Sequence, residues 1–179
     1  MTAQVPTGAG SSPPARSPLR MQGMRTTFVT LNTQGHQPVF TEARIINVHL
    51  EVLRHLSDRM DMPVICYCYM PDHAHLMIAS DQPRRLHAFI RAYKRQTWTL
   101  YRRESRKPLW ERANSFYHLR KDEDLLKMAQ FILENPVRAG LRVDYRDYPF
   151  SGSFLWDLKV RESRNPDGLH PVPAEQPTE

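Results

Sequence analysis

Two short apolar segments joined by a Pro-Asp turn limit what this chain can fold into. Residues 63–69 (PVICYCY) and 73–80 (HAHLMIAS) flank Pro71-Asp72, and the first is rich in β-branched and aromatic residues. Such segments form strands, and a tight turn between them returns the second strand beside the first. The chain therefore needs a β-sheet, and we expect this pair of strands to belong to it.

The second strand begins with a His-x-His motif, His73 and His75. Side chains alternate between the faces of a strand, so both imidazoles project from one face, about 6–7 Å apart along the strand. Two imidazoles on one rigid face can hold a divalent metal ion. An isolated His-x-His is more often solvent-exposed or bonded to a backbone carbonyl. Here the preceding turn, and the apolar Leu76 and Ile78 on the opposite face, favour the metal site.

The rest of the chain alternates strand-like and helix-like segments. In chain order we expect a strand at 25–33, a helix at 42–58 with Thr41 as its N-cap, strands at 63–69 and 73–80, a helix at 83–106, a strand at 115–119 and a helix at 122–134. The order βαββαβα predicts an α+β fold. We expect a ferredoxin-like split βαβ whose central antiparallel sheet carries the His-x-His pair, with an additional C-terminal helix.

Composition indicates the domain limits and the kind of partner. Residues 1–24 predict a disordered N-terminal segment, residues 25–158 a single folded domain, and residues 159–179 a flexible C-terminal tail. No apolar run approaches the ~20 residues of a membrane span and no secretory signal is visible, so we expect a cytoplasmic protein. The net charge of +6 favours a polyanionic partner, nucleic acid before a membrane surface.

The predicted helix at 83–106 is strongly basic, and its cations are interleaved with aromatic residues. Cations neutralise phosphates, and aromatic rings stack on unpaired bases. The candidate nucleic-acid-binding residues are Arg84, Arg85, Arg91, Lys94, Arg95, Trp98, Arg102 and Arg103. The alternative is a solvated helix face. Such faces usually carry both signs, whereas Glu104 is the only acidic residue of this stretch of sequence.

Phe131 and Asn135 share a face of the last predicted helix. They lie four residues apart and off the apolar stripe, which contains Ala129 and Ile132. On the residues alone, Phe131 would pack against a second surface. Asn135 would cap a short turn that Asn-Pro opens and Gly140 closes.

These motifs together resemble the HUH-type single-tyrosine transposases, especially the REP-associated tyrosine transposases with an IS200-like domain. The matching segments run in family order over about residues 25–154. They are residues 28–30 (FVT), 69–76 (YMPDHAHL), 108–112 (PLWER), 131–141 (FILENPVRAGL) and 147–151 (DYPFS).

The resemblance implies a substrate, a cofactor and a chemistry. The substrate would be single-stranded DNA, often hairpin-forming, and the cofactor a divalent metal ion, Mg²⁺ or Mn²⁺. His73, His75 and Asn135 stand at the metal-ligand positions of the family. In such proteins a tyrosine one helical turn before the third ligand attacks the scissile phosphate, which gives a phosphotyrosine and a free 3′-hydroxyl.

Phe131 departs from the family pattern, because it occupies the position of the nucleophilic tyrosine. Phenylalanine has no hydroxyl and cannot form the covalent link. Tyr117, on the preceding strand, is the nearest substitute in sequence, although a structural role in the sheet is the preferred interpretation. Three functions stay open: a strand-nicking and rejoining enzyme, a catalytically inactive domesticated DNA binder, and an RNA-binding module on a similar sheet.

Overall fold

The computed structural model describes residues 21, 23–103, 105–120, 123–157 and 170–171. Within them lie β1 (Arg25–Asn32), α1 (Ala43–Arg59), β2 (Val64–Met70), β3 (His73–Ser80), α2 (Pro83–Tyr101), β4 (Ser115–His118), α3 (Leu125–Leu133), α4 (Asn135–Arg138), β5 (Ser151–Gly152), β6 (Trp156–Asp157) and β7 (His170–Pro171). Most of the predicted disordered segment and of the predicted tail lies outside the described residues. Met21 and Met24, which precede β1, pack against a core.

The main sheet has five antiparallel strands in the order β4-β1-β3-β2-β5. The hairpin predicted around Pro71-Asp72 is formed by β2 and β3, and β3 lies between β1 and β2. The helices α1 and α2 make the two long connections, from β1 to β2 and from β3 to β4. This is a split βαβ, ferredoxin-like arrangement with added C-terminal helices, so the predicted fold class is confirmed.

Both faces of the central strand β3 are buried, against different partners. Ala74, Leu76 and Ile78 belong to a core shared with α1 and α2. Met77 belongs to a second core, shared with α3 and with residues 148–156. Because side chains alternate along a strand, the two histidines lie on the Met77 face, beneath α3.

The starts of two helices differ from the prediction. The helix α1 begins one residue later than expected, with Glu42 rather than Thr41 at its N-cap and no capping side chain. At α3 the carboxylate of Asp124 accepts hydrogen bonds from two backbone N–H groups of the first turn. That cap sets the start of α3 at Leu125 instead of residue 122.

The long basic helix α2 ends at Tyr101, five residues before the predicted end at residue 106. Helices in proteins are stabilised mainly by packing of an apolar stripe. No large apolar side chain occurs between Tyr101 and Leu109 to continue that stripe. Neither α2 nor another described helix is long and apolar enough to cross a membrane.

Candidate functional site

The strand β3 places His73 and His75 at the end of the sheet, next to the turn that joins β2 to β3. His75 lies between Thr30 of β1 and Cys68 of β2. His75 is buried and His73 is half-buried. Their ring centroids are 4.6 Å apart. The structure therefore brings the predicted pair into direct contact on one face of the sheet.

An oxygen atom holds the Nδ1 side of each imidazole. Asp72 Oδ1 accepts a hydrogen bond from His73 Nδ1 at 2.6 Å. Thr30 Oγ1 lies 3.1 Å from His75 Nδ1. When the ring protons point at these oxygens, both Nε2 lone pairs are free, and the two Nε2 atoms face each other at 3.1 Å. Partners of this kind orient metal-binding histidines, and a cation between the lone pairs would relieve their repulsion.

The electrostatics of the pair favour a neutral His75. Burial, together with the charges of His73 and Arg138, lowers the pKa of His75 to about 3. A hydrogen bond with Asn135 and the charge of Asp72 act in the opposite direction and are weaker. Burial acts to raise the pKa of Asp72, but the hydrogen bond and charge of His73, a backbone hydrogen bond and the charge of His36 together outweigh it, so that pKa is lowered. A neutral imidazole is the form that binds metal.

Asn135, the first residue of α4, reaches the histidines from the helical layer. Its Nδ2 donates to the carbonyl oxygens of Phe131 and Ile132, at 3.2 and 2.9 Å. These bonds fix the orientation of the amide and leave Oδ1 for other partners. The Asn135 amide lies close enough to His75 to act to raise the pKa of that imidazole. All three predicted ligand positions therefore converge.

The two facing imidazoles leave the geometry that a divalent cation would need. Two nitrogen atoms 3.1 Å apart can both lie ~2.0–2.2 Å from one ion. Across the part of the chain that the structure describes, no group of three His, Cys, Asp or Glu side chains could hold a metal. An ion at this place would depend on the Asn135 amide and on oxygens from solvent or substrate. Oxygen ligands suit Mg²⁺ and Mn²⁺, whereas imidazole nitrogens suit softer transition metals.

Phe131 lies one helical turn before Asn135 and is 49% exposed. The guanidinium of Arg138 covers its ring, with the central carbon 4.1 Å from the ring centroid. Arg138 also donates to the carbonyl oxygen of Phe131 and pairs with Glu134 at 3.4 Å. The charge of Arg138 acts on His75. The position given to the nucleophile by the resemblance is thus an exposed Phe–Arg stack beside the histidines.

Tyr117 lies on β4, opposite Phe28 of β1. Its side chain is 40% exposed, and its hydroxyl donates to Glu123. Phe28 contacts the ring of His75, with centroids 5.1 Å apart. The strand β1 therefore separates Tyr117 from the histidines, and its hydroxyl already has a partner.

A groove of about 930 Å³ lies between α2 and residues 108–114. Its walls belong to the core shared with α1 and α2, so it opens on the sheet face opposite to the histidines. Four of the eight predicted nucleic-acid-binding residues line it: Arg91, Lys94, Arg95 and Trp98. The structure therefore gathers half of the predicted set into one basic, aromatic surface.

Lys94, on α2, holds the second wall of this groove, residues 108–114, in place. Its ammonium donates to the carbonyl oxygen of Glu111 and, at 2.7 Å, to Asn114 Oδ1. Burial lowers the pKa of Lys94, and the charge of Glu111 opposes that shift. Arg91 and Arg95 are exposed and line the groove from α2, its first wall.

The other four predicted residues lie outside the groove. Arg85 pairs with Asp81 at 2.7 Å and donates to the carbonyl oxygen of Met60 at 2.6 Å, so it joins α2 to the end of α1. The remaining three are exposed and do not line the groove: Arg84, Arg102 and Arg103.

Sequence reasoning missed residues 108–114 as the second wall of the groove. Trp110 is buried and its Nε1 donates to Thr97 Oγ1 of α2 at 2.9 Å. Arg112 and Asn114 follow it along the groove. The segment 108–112 was visible as a motif, but its position beside α2 depends on these tertiary contacts. Arg138 was missed for the same reason.

Comparison with known proteins identifies the family. The IS200-like transposases match residues 24–120, more than half of the 179-residue chain, so the chain belongs to this family and the resemblance is confirmed. A solved REP-associated tyrosine transposase bound to a REP hairpin is similar with a TM-score of 0.57 and 19% identity, over 71% of this chain and 75% of that one. That likeness supports the fold.

A candidate transposase from Deinococcus radiodurans gives a TM-score of 0.47 at 14% identity, over 71% of this chain and 92% of that one. No curated protein sequence matches the chain.

Proposed function

We propose that this member of the IS200-like transposase family binds hairpin-bearing single-stranded DNA and holds a divalent metal, but does not cut the strand. The observation that carries the proposal is the cluster on β3 and α4. Two Nε2 atoms face each other at 3.1 Å, the Asn135 amide reaches His75, and Phe131 stands one turn away without a hydroxyl. The cytoplasm stays the expected place of action.

The metal would lie between the two histidines and Asn135. His73 and His75 would hold it through Nε2, because their Nδ1 atoms are engaged elsewhere. Asn135 Oδ1 would add an oxygen ligand, because its Nδ2 is bonded to backbone carbonyls. When bound, Mg²⁺ or Mn²⁺ supplies a Lewis acid that polarises a phosphodiester oxygen.

The missing hydroxyl argues against strand cleavage. Covalent nicking needs an oxygen nucleophile that gives up its proton as it bonds to phosphorus, while the departing 3′-oxygen gains one. Phe131 offers no such oxygen. The Tyr117 hydroxyl is bonded to Glu123 and lies on the far side of β1. Metal binding and substrate positioning do not need that oxygen, so binding without cleavage is the function that the site supports best.

The groove supports recognition of a nucleic acid. Arg91 and Arg95 stand beside a tryptophan, the combination that neutralises phosphates and stacks on unpaired bases. In the other wall, Glu111 donates its backbone N–H to the carbonyl of Asn32, which pairs with His73. The groove and the proposed metal site thus lie at the same end of the sheet, on its opposite faces. A hairpin held in the groove could extend a single-stranded arm around that end.

Adduct formation with hairpin-bearing single-stranded DNA tests the proposal. Wild type, Phe131→Tyr and the double variant Phe131→Tyr/His75→Ala would be incubated with Mg²⁺ or Mn²⁺ and separated under denaturing conditions. We expect wild type to bind the DNA without an adduct. Because the Phe131 ring is half exposed, the added hydroxyl should change stability by less than about 0.5 kcal/mol. The tyrosine variant should form a metal-dependent adduct, and the double variant should not.

Three outcomes would change the proposal in different ways: the first and third would contradict it, and the second would contradict only the role given to Phe131. An adduct with wild type would reveal another nucleophile, and Tyr117→Phe would then be the next variant. A folded Phe131→Tyr variant that binds DNA and metal without an adduct would show that more than one residue separates this site from an active one. Equal affinity for a matched RNA hairpin would favour the RNA-binding module.

A further inference from the structure

The stack of Phe131 and Arg138 has a geometry that suits a ligand of its own. We infer that this stack is a binding platform for one unpaired nucleobase of the DNA strand that reaches the proposed metal site. This inference rests on the proposed function. The occupant is a flat aromatic heterocycle with a neighbouring phosphate.

The ring of Phe131 is available for contact. It belongs to neither hydrophobic core, and 49% of the residue is exposed. The guanidinium of Arg138 lies over one face of the ring, so a base would stack on the other face or on the outer side of the guanidinium. Aromatic rings in this situation stack on unpaired bases in single-strand-binding proteins.

Contacts within the protein hold the guanidinium of Arg138 over the ring. It donates to the carbonyl oxygen of Phe131 and pairs with Glu134 at 3.4 Å, so two contacts fix the guanidinium from the side. A planar guanidinium over an aromatic face makes a favourable cation–π contact and adds positive charge to the platform. The stack is therefore preorganised, which lowers the entropy cost of binding.

The platform lies close to the place proposed for the metal. Phe131 precedes Asn135 by four residues, which is about 6 Å along a helix axis. The charge of Arg138 acts on His75. A phosphate at the proposed metal site would therefore bring its neighbouring base within reach of the Phe131 ring. Phenylalanine keeps the aromatic surface that this contact needs and lacks only the hydroxyl.

Fluorescence of 2-aminopurine tests the platform. A set of DNA hairpins would each carry one 2-aminopurine at successive positions of the single-stranded flank, with Mg²⁺ present. EDTA would replace Mg²⁺ only for the Phe131→Tyr variant, because that variant is expected to cleave. Wild type should quench the fluorescence at one or two adjacent flank positions. Phe131→Leu should abolish that quenching and weaken binding about 5- to 150-fold, the range for loss of one stacked base. Phe131→Tyr should retain both.

Two further variants separate stacking from general effects. Arg138→Lys keeps the charge without the planar surface and should reduce the quenching at the same positions. Leu126→Ala removes another exposed apolar side chain from α3, 37% exposed, and should leave quenching and affinity unchanged.

The outcomes distinguish this inference from the function on which it rests. Tight hairpin binding with no quenching at any flank position, or with quenching that survives in Phe131→Leu, would overturn the platform alone. Failure of wild type to bind any hairpin would overturn the proposed function and the platform together.

Discussion

His49 is a polar residue enclosed in the aromatic part of the core. Its ring contacts those of Phe40, Tyr69 and Trp110. Nδ1 lies 2.7 Å from the carbonyl oxygen of Ile45, and no described residue offers a hydrogen bond to the buried Nε2. Burial lowers the pKa of His49 to about 4, against the opposing effect of the Ile45 carbonyl. The fold therefore accepts only the neutral ring.

Acid should destabilise the protein through His49. An unfolded histidine has a pKa near ~6.5, so between that pH and about 4 the unfolded chain binds more protons than the folded one. The stabilisation is complete above pH ~6.5 and falls with decreasing pH, by up to about 3 kcal/mol. Burial raises the pKa of the facing Tyr69 and Tyr93, so they stay neutral throughout.

Denaturant unfolding at several pH values between 7.5 and 4.5 would measure this dependence. His49→Leu should lose less stability on acidification than wild type. His55→Leu, an exposed position on the same helix, serves as the control and should behave like wild type. Identical pH dependence in wild type and His49→Leu would show that this ring does not carry the effect.

Individual site residues were predictable where the pattern that places them is local. The strand period put His73 and His75 on one face, and the helix period put Phe131 and Asn135 on another. No local pattern predicts that Arg138 folds back over Phe131. That contact depends on α4 following α3 after a single residue, Glu134.

At the level of elements, the groove divides the cations of α2 into two groups. Arg91 and Arg95 line it, whereas Arg84 and Arg102 are exposed elsewhere on the same segment. The pair Arg91→Ala/Arg95→Ala should weaken binding to hairpin-bearing single-stranded DNA. It should also flatten the slope of log K against log salt by up to ~0.7 per lost phosphate contact.

The matched control removes the same charge outside the groove. Arg84→Ala/Arg102→Ala should change the slope much less when binding is titrated by fluorescence anisotropy over a salt series. Lys94 is left unchanged because it is bonded to Glu111 and Asn114. Replacing it would disturb the groove as well as remove a charge. Equal slopes for the two double variants would mean that the groove is not the contact surface.

The existence of the elements was more predictable than their ends. Each long helix shows a continuous apolar stripe, but its last turn depends on what it packs against, as the early end of α2 shows. The two-residue strand β5 pairs with Tyr67 and Cys68 and completes the sheet. So short a segment has no periodicity, and it was not predicted.

For the whole molecule, the central sheet separates two surfaces with different chemistry. One face carries the histidines beneath α3 and α4, and the other carries α1, α2 and the basic groove. The order of elements predicted this layered fold, because a split βαβ allows few arrangements. The groove was not predictable, since its second wall is a loop held by the tertiary contacts of Trp110 and Lys94.

A metal bound between β3 and α4 should stabilise the whole fold. An ion that binds only the folded chain adds ~2.7 kcal/mol at a hundred times its dissociation constant. For a protein of this length that corresponds to a rise in Tm of about 5–10 °C. Thermal unfolding with Mn²⁺ or Mg²⁺ should show such a rise for wild type, reversed by EDTA. His73→Ala and His75→Ala should abolish it, because each removes one of the two facing nitrogens. Asn135→Ala should reduce the rise in Tm.

The exposed His55 controls for binding to surface histidines, so His55→Ala should retain the full rise. An undiminished rise in His75→Ala would place the ion elsewhere and leave the facing imidazoles without a metal.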